Sequence, residues 1–223
     1  MRIRSAGDDA SIMRKLLCDR PTVAIAARRF LVGLLVCLNV MGIFVPTVGR
    51  ADEVAAASYL PSRRAVAAPT GFAGVCDRYE WVCARVAHSG AAATDETHLV
   101  RAVNAQINRA THQIADQRQY GTEEYWALPT AAGGDCEDFV LLKKKLLIQQ
   151  GIAPERLLIA TVLDRGRNLH AVLIFRSATG DYVLDNLNDR IELWADTGYS
   201  FLEMQNPDSP ERWTAVLAGG TFG

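Results

Sequence analysis

Apolar residues recur at helical spacing in the middle of the chain. Leu99, Val100, Val103, Ile107 and Ile114 follow this spacing, while polar residues fill the positions between them. The pattern predicts an amphipathic helix from Glu96 to Gln117, capped by Thr94 or Asp95. A second, broadly apolar helix is predicted from Asp135 to Gln150, with the conformationally permissive Gly151 as its C-terminal stop. Its inward residues are predicted to be Phe139, Val140, Leu142, Leu146 and Leu147.

The later part of the chain is rich in β-forming residues. Strands are predicted at Leu157 to Leu163, Leu169 to Arg176, Asp181 to Asn186 and Arg190 to Ala195. The turn residues Ala178-Thr179-Gly180 join the second and third of these strands into a hairpin. Helices followed by antiparallel strands predict an α+β fold in which N-terminal helices pack on an antiparallel sheet.

The N-terminal region has the features of an export signal. Arg28-Arg29 precede an apolar run from Phe30 to Val48, and small residues follow at Gly49 and Ala51. This predicts a signal peptide over residues 1–51, with an uncleaved inner-membrane anchor as the alternative. Residues 52–70 are rich in Ala, Ser and Pro and predict a flexible lead-in. Residues 71–223 then form one domain.

Charge and cysteine content indicate which partners and which cellular compartment are to be expected. The 223 residues include 24 basic and 25 acidic side chains with no charge block, so no nucleic-acid partner is expected. Three cysteines follow the predicted signal. In an oxidising compartment Cys76 and Cys83 could pair or remain reduced, because their separation of seven residues is compatible with either state. Pairing would leave Cys136 as an odd, free thiol.

The segment Gly133-Gly134-Asp135-Cys136-Glu137-Asp138-Phe139 carries the strongest chemical signal. It places a thiol at a predicted helix start, where free backbone N–H groups and the helix dipole stabilise a thiolate. A cysteine alone is more often a small apolar filler of the core. The interpretation of Cys136 as a nucleophile therefore depends on the partners that the rest of the chain supplies.

His170 and Asp185 supply those partners on the two strands of the predicted hairpin. Each lies at a comparable distance from the turn, so the two side chains can be cross-strand neighbours. Asp185 would orient the imidazole, His170 would accept the thiol proton, and Cys136 would attack a carbonyl carbon. Each residue also has an ordinary structural interpretation, His170 in a half-buried strand and Asp185 as a turn cap.

Three carboxylates next to the thiol oppose its ionisation. Asp135, Glu137 and Asp138 would raise the pKa of Cys136, unless they only stabilise the helix N-terminus. A divalent cation held by Asp135 and Glu137 would neutralise them, and hard oxygen ligands favour calcium or magnesium. Backbone carbonyls and water would have to complete the shell of a calcium ion.

Taken together, these motifs resemble those of a known family. They are Tyr125-Trp126-Ala127-Leu128-Pro129, Gly134-Asp135-Cys136-Glu137-Asp138-Phe139, His170 and Leu184-Asp185-Asn186. From about Phe72 to Trp213 the chain resembles the bacterial transglutaminase-like cysteine peptidases, a group that includes the LapG-type periplasmic adhesin proteases. The resemblance implies a papain-like, transglutaminase-type fold, a triad of Cys136, His170 and Asp185, and calcium bound through Asp135 and Glu137.

The resemblance also implies a biological setting. LapG-type enzymes act in the periplasm and cut a large repeat adhesin near its N-terminus at a di-alanine site. The cut releases the adhesin from the cell surface and so disperses the biofilm. An inner-membrane cyclic-di-GMP receptor sequesters them. Two alternatives stay open from the sequence: a transglutaminase or peptidoglycan-crosslink hydrolase with the same triad, and a non-catalytic periplasmic binding protein.

Overall fold

The computed structural model describes residues 58–86 and 96–222. The predicted signal peptide at 1–51, the first part of the lead-in and the predicted helix cap at Thr94 or Asp95 lie outside these ranges. Among the residues that are described, no helix is both long enough and apolar enough to span a membrane.

Five α-helices lie in the described ranges. They are α1 (Val75–Arg78), α2 (Glu80–Cys83), α3 (Glu96–Ala110), α4 (Asp116–Gln119) and α5 (Cys136–Gln149). Short 3₁₀ turns lie at Thr70–Phe72, Pro154–Arg156, Trp194–Asp196 and Gly220–Phe222.

The strands form one seven-stranded antiparallel sheet. They are β1 (Ala65–Val66), β2 (Leu157–Leu163), β3 (Leu169–Arg176), β4 (Asp181–Leu184), β5 (Glu192–Leu193), β6 (Ser200–Asn206) and β7 (Ser209–Ala218), in the order β1-β7-β6-β2-β3-β4-β5. Successive residues of β2 and β3 alternate between two apolar clusters. The cluster that contains Ile159 and Leu173 packs against α3 and α5. The predicted α+β class, helices on an antiparallel sheet, is confirmed.

The predicted helix from Glu96 to Gln117 is shorter than expected. It ends at Ala110, and α4 begins six residues later at Asp116. The intervening backbone pairs with the loop before Cys136 instead of continuing the helix. Ile114 N–H donates to the Gly134 carbonyl at 3.0 Å, and Gly134 N–H donates to the His112 carbonyl at 3.0 Å. These bonds bring α4 next to the start of α5.

Helix α5 forms where it was predicted, and Gly151 follows it with a φ of 95°. Its buried face differs from the prediction, however. Leu142 and Leu146 are only partly buried, whereas Lys143 and Lys144 are fully buried. Lys144 reaches β6, where its Nζ donates to Gln205 Oε1 at 2.9 Å.

The strand predictions hold for the centre of the sheet and fail at its sides. β2 and β3 have the predicted bounds, and Ser177 N–H donates to Gly180 O across the predicted turn at 2.9 Å. The strand predicted at Arg190 to Ala195 is reduced to β5, which leads directly into a 3₁₀ turn. Strands β6 and β7 were not predicted.

Part of the predicted lead-in at 52–70 packs on the sheet where the structure describes it. Leu60 is buried, its N–H donates to Asp181 Oδ2 at 2.9 Å, and β1 pairs with β7. A disulfide joins Cys76 to Cys83 across the short helices α1 and α2. The question of pairing, open from the sequence, is therefore answered in favour of the bond.

Candidate active site

Cys136 is the first residue of α5, and the two glycines before it are required by close packing. A Cβ on Gly133, whose φ is 122°, would lie 1.9 Å from the carbonyl oxygen of His112. A Cβ on Gly134 would lie 2.5 Å from Asp138 Oδ2. Larger residues would displace the loop that leads to the thiol. The structure places the thiol at a helix start, as the sequence predicted.

The sulfur of Cys136 contacts an acid on one side and a backbone amide on the other. Sγ donates to Glu137 Oε2 at 3.1 Å. Burial, together with the charge and hydrogen bond of Glu137, raises the pKa of the thiol well above its usual range, and the Ala171 N–H opposes this rise. Since Ala171 follows His170, the sulfur lies beside the strand that carries the imidazole.

His170 and Asp185 are hydrogen-bonded to each other in the protein interior. Nε2 of His170 lies 2.9 Å from Asp185 Oδ1, and both side chains are buried. An ionised carboxylate only accepts hydrogen bonds, so Nε2 carries the proton and Nδ1 is left to act as a base. The ladder ends at the pair of Leu173 and Leu184, so the two residues meet diagonally rather than directly across the strands.

Several donors fix the carboxylate of Asp185. Besides His170, the Leu187 N–H donates to Oδ1 at 2.9 Å and the Tyr199 hydroxyl donates to Oδ2 at 2.6 Å. Burial opposes ionisation of Asp185. The bond and charge of His170 and the two other donors nevertheless lower its pKa below the ordinary value. These contacts favour the ionised form of the Asp185 carboxylate.

Helix α3 holds the backbone that follows β4. Nδ2 of Asn108 donates to the Asp185 carbonyl at 2.8 Å and to Asp189 Oδ1 at 3.0 Å. Nδ2 of Asn104 donates to the Asn188 carbonyl at 2.9 Å. These amides anchor the loop that carries Asp185 to the helical layer.

Cys136 and His170 line the same cleft, which has a volume of about 340 Å³. Trp126 forms part of its wall and is almost fully buried. Tyr120 and Tyr125, which also precede the thiol in the sequence, pack edge-to-face on each other at the surface and do not line this cleft. The remaining lining residues are Pro69, Thr70, Gly71, Glu124, Glu137, Thr161, Leu169, Ala171, Leu202 and Glu203.

Three carboxylates meet beside the thiol. One oxygen each from Asp116, Asp135 and Glu137 lies within 4.8 Å of the others. Asp116, which the sequence did not single out, is the first residue of α4 and arrives through the pairing of residues 112–114 with Gly134. Asp138 lies outside this cluster, and its Oδ1 accepts the Ala127 N–H at 2.9 Å.

The geometry of this cluster fits a hard divalent cation. Burial and the neighbouring charge of Asp135 raise the pKa of Glu137 above its ordinary value, and burial likewise raises the pKa of Asp116. Asp135 does not cap α5; its Oδ2 accepts the Asp116 N–H at 3.1 Å. Its buried Oδ1 has no hydrogen-bond partner among the described residues. Three converging carboxylates with such an oxygen are ligands of the type that hard cations such as calcium and magnesium prefer.

Comparison with known proteins gives a match to one family model and similarities to solved structures. The family model for the bacterial transglutaminase-like cysteine proteinases matches residues 62–220, which confirms the resemblance found from the motifs. A search of curated proteins gives no significant match.

Among solved structures, calcium-bound LapG from Legionella pneumophila is 22% identical, with a TM-score of 0.46 over 54% of this chain and 69% of that chain. EGTA-treated LapG from the same organism is 24% identical, with a TM-score of 0.44 over 50% of this chain and 63% of that chain. A further structure of that LapG has the same identity and TM-score and is covered over 65% of its length.

Proposed function

Because this chain belongs to the bacterial transglutaminase-like cysteine proteinases, we propose that it is a calcium-dependent periplasmic endopeptidase. In this proposal Cys136 is the nucleophile, His170 the general base, and Asp185 the residue that orients the imidazole. One observation carries the proposal: the 2.9 Å bond from His170 to Asp185, beside the cleft that His170 shares with the helix-start thiol.

The reaction proceeds through a thioester. His170 Nδ1 takes the proton of the Cys136 thiol, and the sulfur forms a bond to the carbonyl carbon of the scissile peptide. The C–N bond then breaks, and the imidazolium gives its proton to the departing amine. Water, deprotonated by the same imidazole, attacks the thioester and releases the acid and the thiol. The free N–H of Cys136 at the start of α5 is suited to stabilise the oxyanion.

The contact between Cys136 and Glu137 makes this chemistry dependent on the acidic cluster. While Sγ donates to the Glu137 carboxylate, the thiol stays protonated. Asp116, Asp135 and Glu137 are the residues that would hold calcium, which when bound supplies the positive charge that offsets theirs. The thiol can then give its proton to His170 rather than share it with Glu137.

The proposed substrate is a protein, in accordance with the family. We extend the proposal to the N-terminal region of a large repeat adhesin, and to control by an inner-membrane cyclic-di-GMP receptor, as the motif resemblance implies. Location in the periplasm is supported by the bond between Cys76 and Cys83, since disulfides persist in oxidising compartments. The predicted signal peptide at 1–51 and the predicted single domain belong to the same proposal.

Cleavage of a candidate adhesin fragment tests the chemistry. The wild-type chain in calcium should cut the fragment, and Cys136→Ala should abolish cleavage while the thermal midpoint is retained. Cleavage by a folded Cys136→Ala chain would reject the nucleophile. A labelled amine in the same reaction separates hydrolysis from transfer, because a transglutaminase would incorporate the label into the product.

Calcium dependence has its own matched pair of variants. Asp116→Asn removes one charge from the cluster, whereas Asp196→Asn makes the same change at an exposed residue outside it. Calcium at a hundredfold excess over its Kd should stabilise the wild type by about 2.7 kcal/mol. The same gain is expected in Asp196→Asn, and a much smaller one in Asp116→Asn. Activity that survives EGTA, or equal gains in the two variants, would reject the site.

A further inference from the structure

Tyr199 contacts both members of the buried His170–Asp185 pair. Its hydroxyl donates to Asp185 Oδ2 at 2.6 Å, and its ring lies edge-on to that of His170 with the centroids 6.3 Å apart. Tyr199 is 9% exposed and immediately precedes β6. In the sheet, β6 and β4 lie on opposite sides of the central strands β2 and β3. Sequence distance gives no indication of this contact.

The two oxygens of the Asp185 carboxylate are held differently. Oδ1 accepts from His170 and from the Leu187 N–H, whereas Oδ2 accepts from the Tyr199 hydroxyl. With Oδ1 alone held, the carboxylate can pivot about the Cβ–Cγ bond. The direction of the hydrogen bond to His170 would change with it, because Oδ1 is the atom that accepts this bond from the imidazole N–H.

A buried tyrosine usually finds some partner for its hydroxyl, so burial alone does not indicate a role. Here the partner is the ionised carboxylate of the proposed triad, and hydrogen bonds to charged acceptors are about twice as strong as neutral ones. Tyr199 does not line the cleft that contains Cys136 and is therefore not placed to contact substrate there. Its influence on the reaction must pass through Asp185.

We propose that Tyr199 is a positioning residue of this active site, whose hydroxyl fixes the Asp185 carboxylate and thereby the direction of the His170 imidazole. The proposal rests on the proposed function, since it gives Tyr199 a role in activating the Cys136 thiol. It adds a fourth side chain to the three that the motifs identify.

Alkylation of Cys136 by iodoacetamide tests this without a known substrate. The rate is followed in the full chain with calcium, by mass spectrometry of the peptide that contains Cys136. Tyr199→Phe removes only the hydroxyl and should slow alkylation about five- to fiftyfold. The lower end applies where water replaces the hydroxyl, since a second cleft of about 330 Å³ reaches both Tyr199 and Asp185.

Tyr182→Phe is the matched control. Its hydroxyl contacts Thr179 in the hairpin turn rather than the triad, and its alkylation rate should stay within twofold of the wild type. A double-mutant cycle then distinguishes positioning from general destabilisation. In an Asp185→Asn background, Tyr199→Phe should change the rate by less than twofold, because the carboxylate through which it acts is gone.

The outcomes for the two proposals are distinguishable. If wild-type Cys136 reacts no faster than an ordinary thiol at the same pH, the proposed function fails. If the wild type reacts fast but Tyr199→Phe matches it, or slows alkylation equally with and without Asp185, only the role of Tyr199 is overturned.

Discussion

Lys144 makes the stability of the domain depend on pH in a direction that the structure predicts. Its side chain is fully buried on the helix that begins at Cys136. Burial lowers the pKa of this amine from 10.5 to about 7, and the charge of Glu155 only partly opposes the shift. Between these two values the unfolded chain binds a proton that the folded chain has lost. The free energy of unfolding should therefore rise with pH in this window.

The size of the effect follows from proton linkage. A group that is charged only in the unfolded chain changes the stability by at most about 1.4 kcal/mol per pH unit. With a folded pKa of about 7, integration from pH 7 to pH 9 gives a contribution of about 2 kcal/mol. Lys144→Met removes this contribution and keeps a side chain of similar length. Gln205 Oε1 still accepts the Ile159 N–H at 3.1 Å in that variant.

Urea unfolding at pH 7 and pH 9, followed by tryptophan fluorescence in EGTA, measures this difference. The stability of the wild type relative to Lys144→Met should improve by about 2 kcal/mol over the interval. Lys143 titrates in both proteins and cancels. Lys145→Met, the same change at a half-buried neighbour, is the control and should leave the wild-type pH dependence in place. Parallel curves for the wild type and Lys144→Met would show that Lys144 does not lose its proton on folding in this pH range.

Three further substitutions test the frame around the thiol, each by chemical denaturation and alkylation of the helix-start cysteine. Gly133→Ala should destabilise the fold by about 2–4 kcal/mol, because its Cβ meets the His112 carbonyl and its φ is positive; a neutral result would contradict that geometry. Asn108→Ala should cost about 1–3 kcal/mol and slow alkylation, since it leaves the carbonyl of the triad aspartate without its amide donor; unchanged alkylation would show that α3 does not position the triad. Cys83→Ser breaks the bond to Cys76, which closes a short loop, and should cost about 2 kcal/mol while alkylation persists; equal stability of oxidised and reduced wild type would contradict it.

The elements that the sequence predicts well are those with an unmixed hydrophobic pattern. β2 and β3 are nearly continuous apolar runs in the centre of the sheet, and their predicted bounds agree with the structure. β6 and β7 mix buried polar residues with apolar ones, and Gln205 is an example. Its amide is fully buried because Lys144, Ile159 and Pro210 satisfy it. A polar residue with tertiary partners cannot be told from a surface residue in sequence.

The residues of the candidate site also differ in how readily the sequence predicts them. Cys136, His170 and Asp185 could be proposed from the sequence because a helix start and a hairpin are local features with recognisable signals. Asp116 and Tyr199 were missed because each is brought to the site by long-range pairing. Asp116 begins a helix of four residues. An acidic residue at a helix start ordinarily serves only to stabilise the helix N-terminus.

In the proposed mechanism Cys136 attacks a peptide carbonyl and carries the acyl group. The most direct test is to quench the reaction with a candidate adhesin fragment in acid and map the thioester by mass spectrometry. An adduct of the N-terminal product on Cys136 is expected, and Cys136→Ala should lose it together with cleavage. Cleavage with the acyl group on another residue, or undiminished cleavage by folded Cys136→Ala, would contradict it.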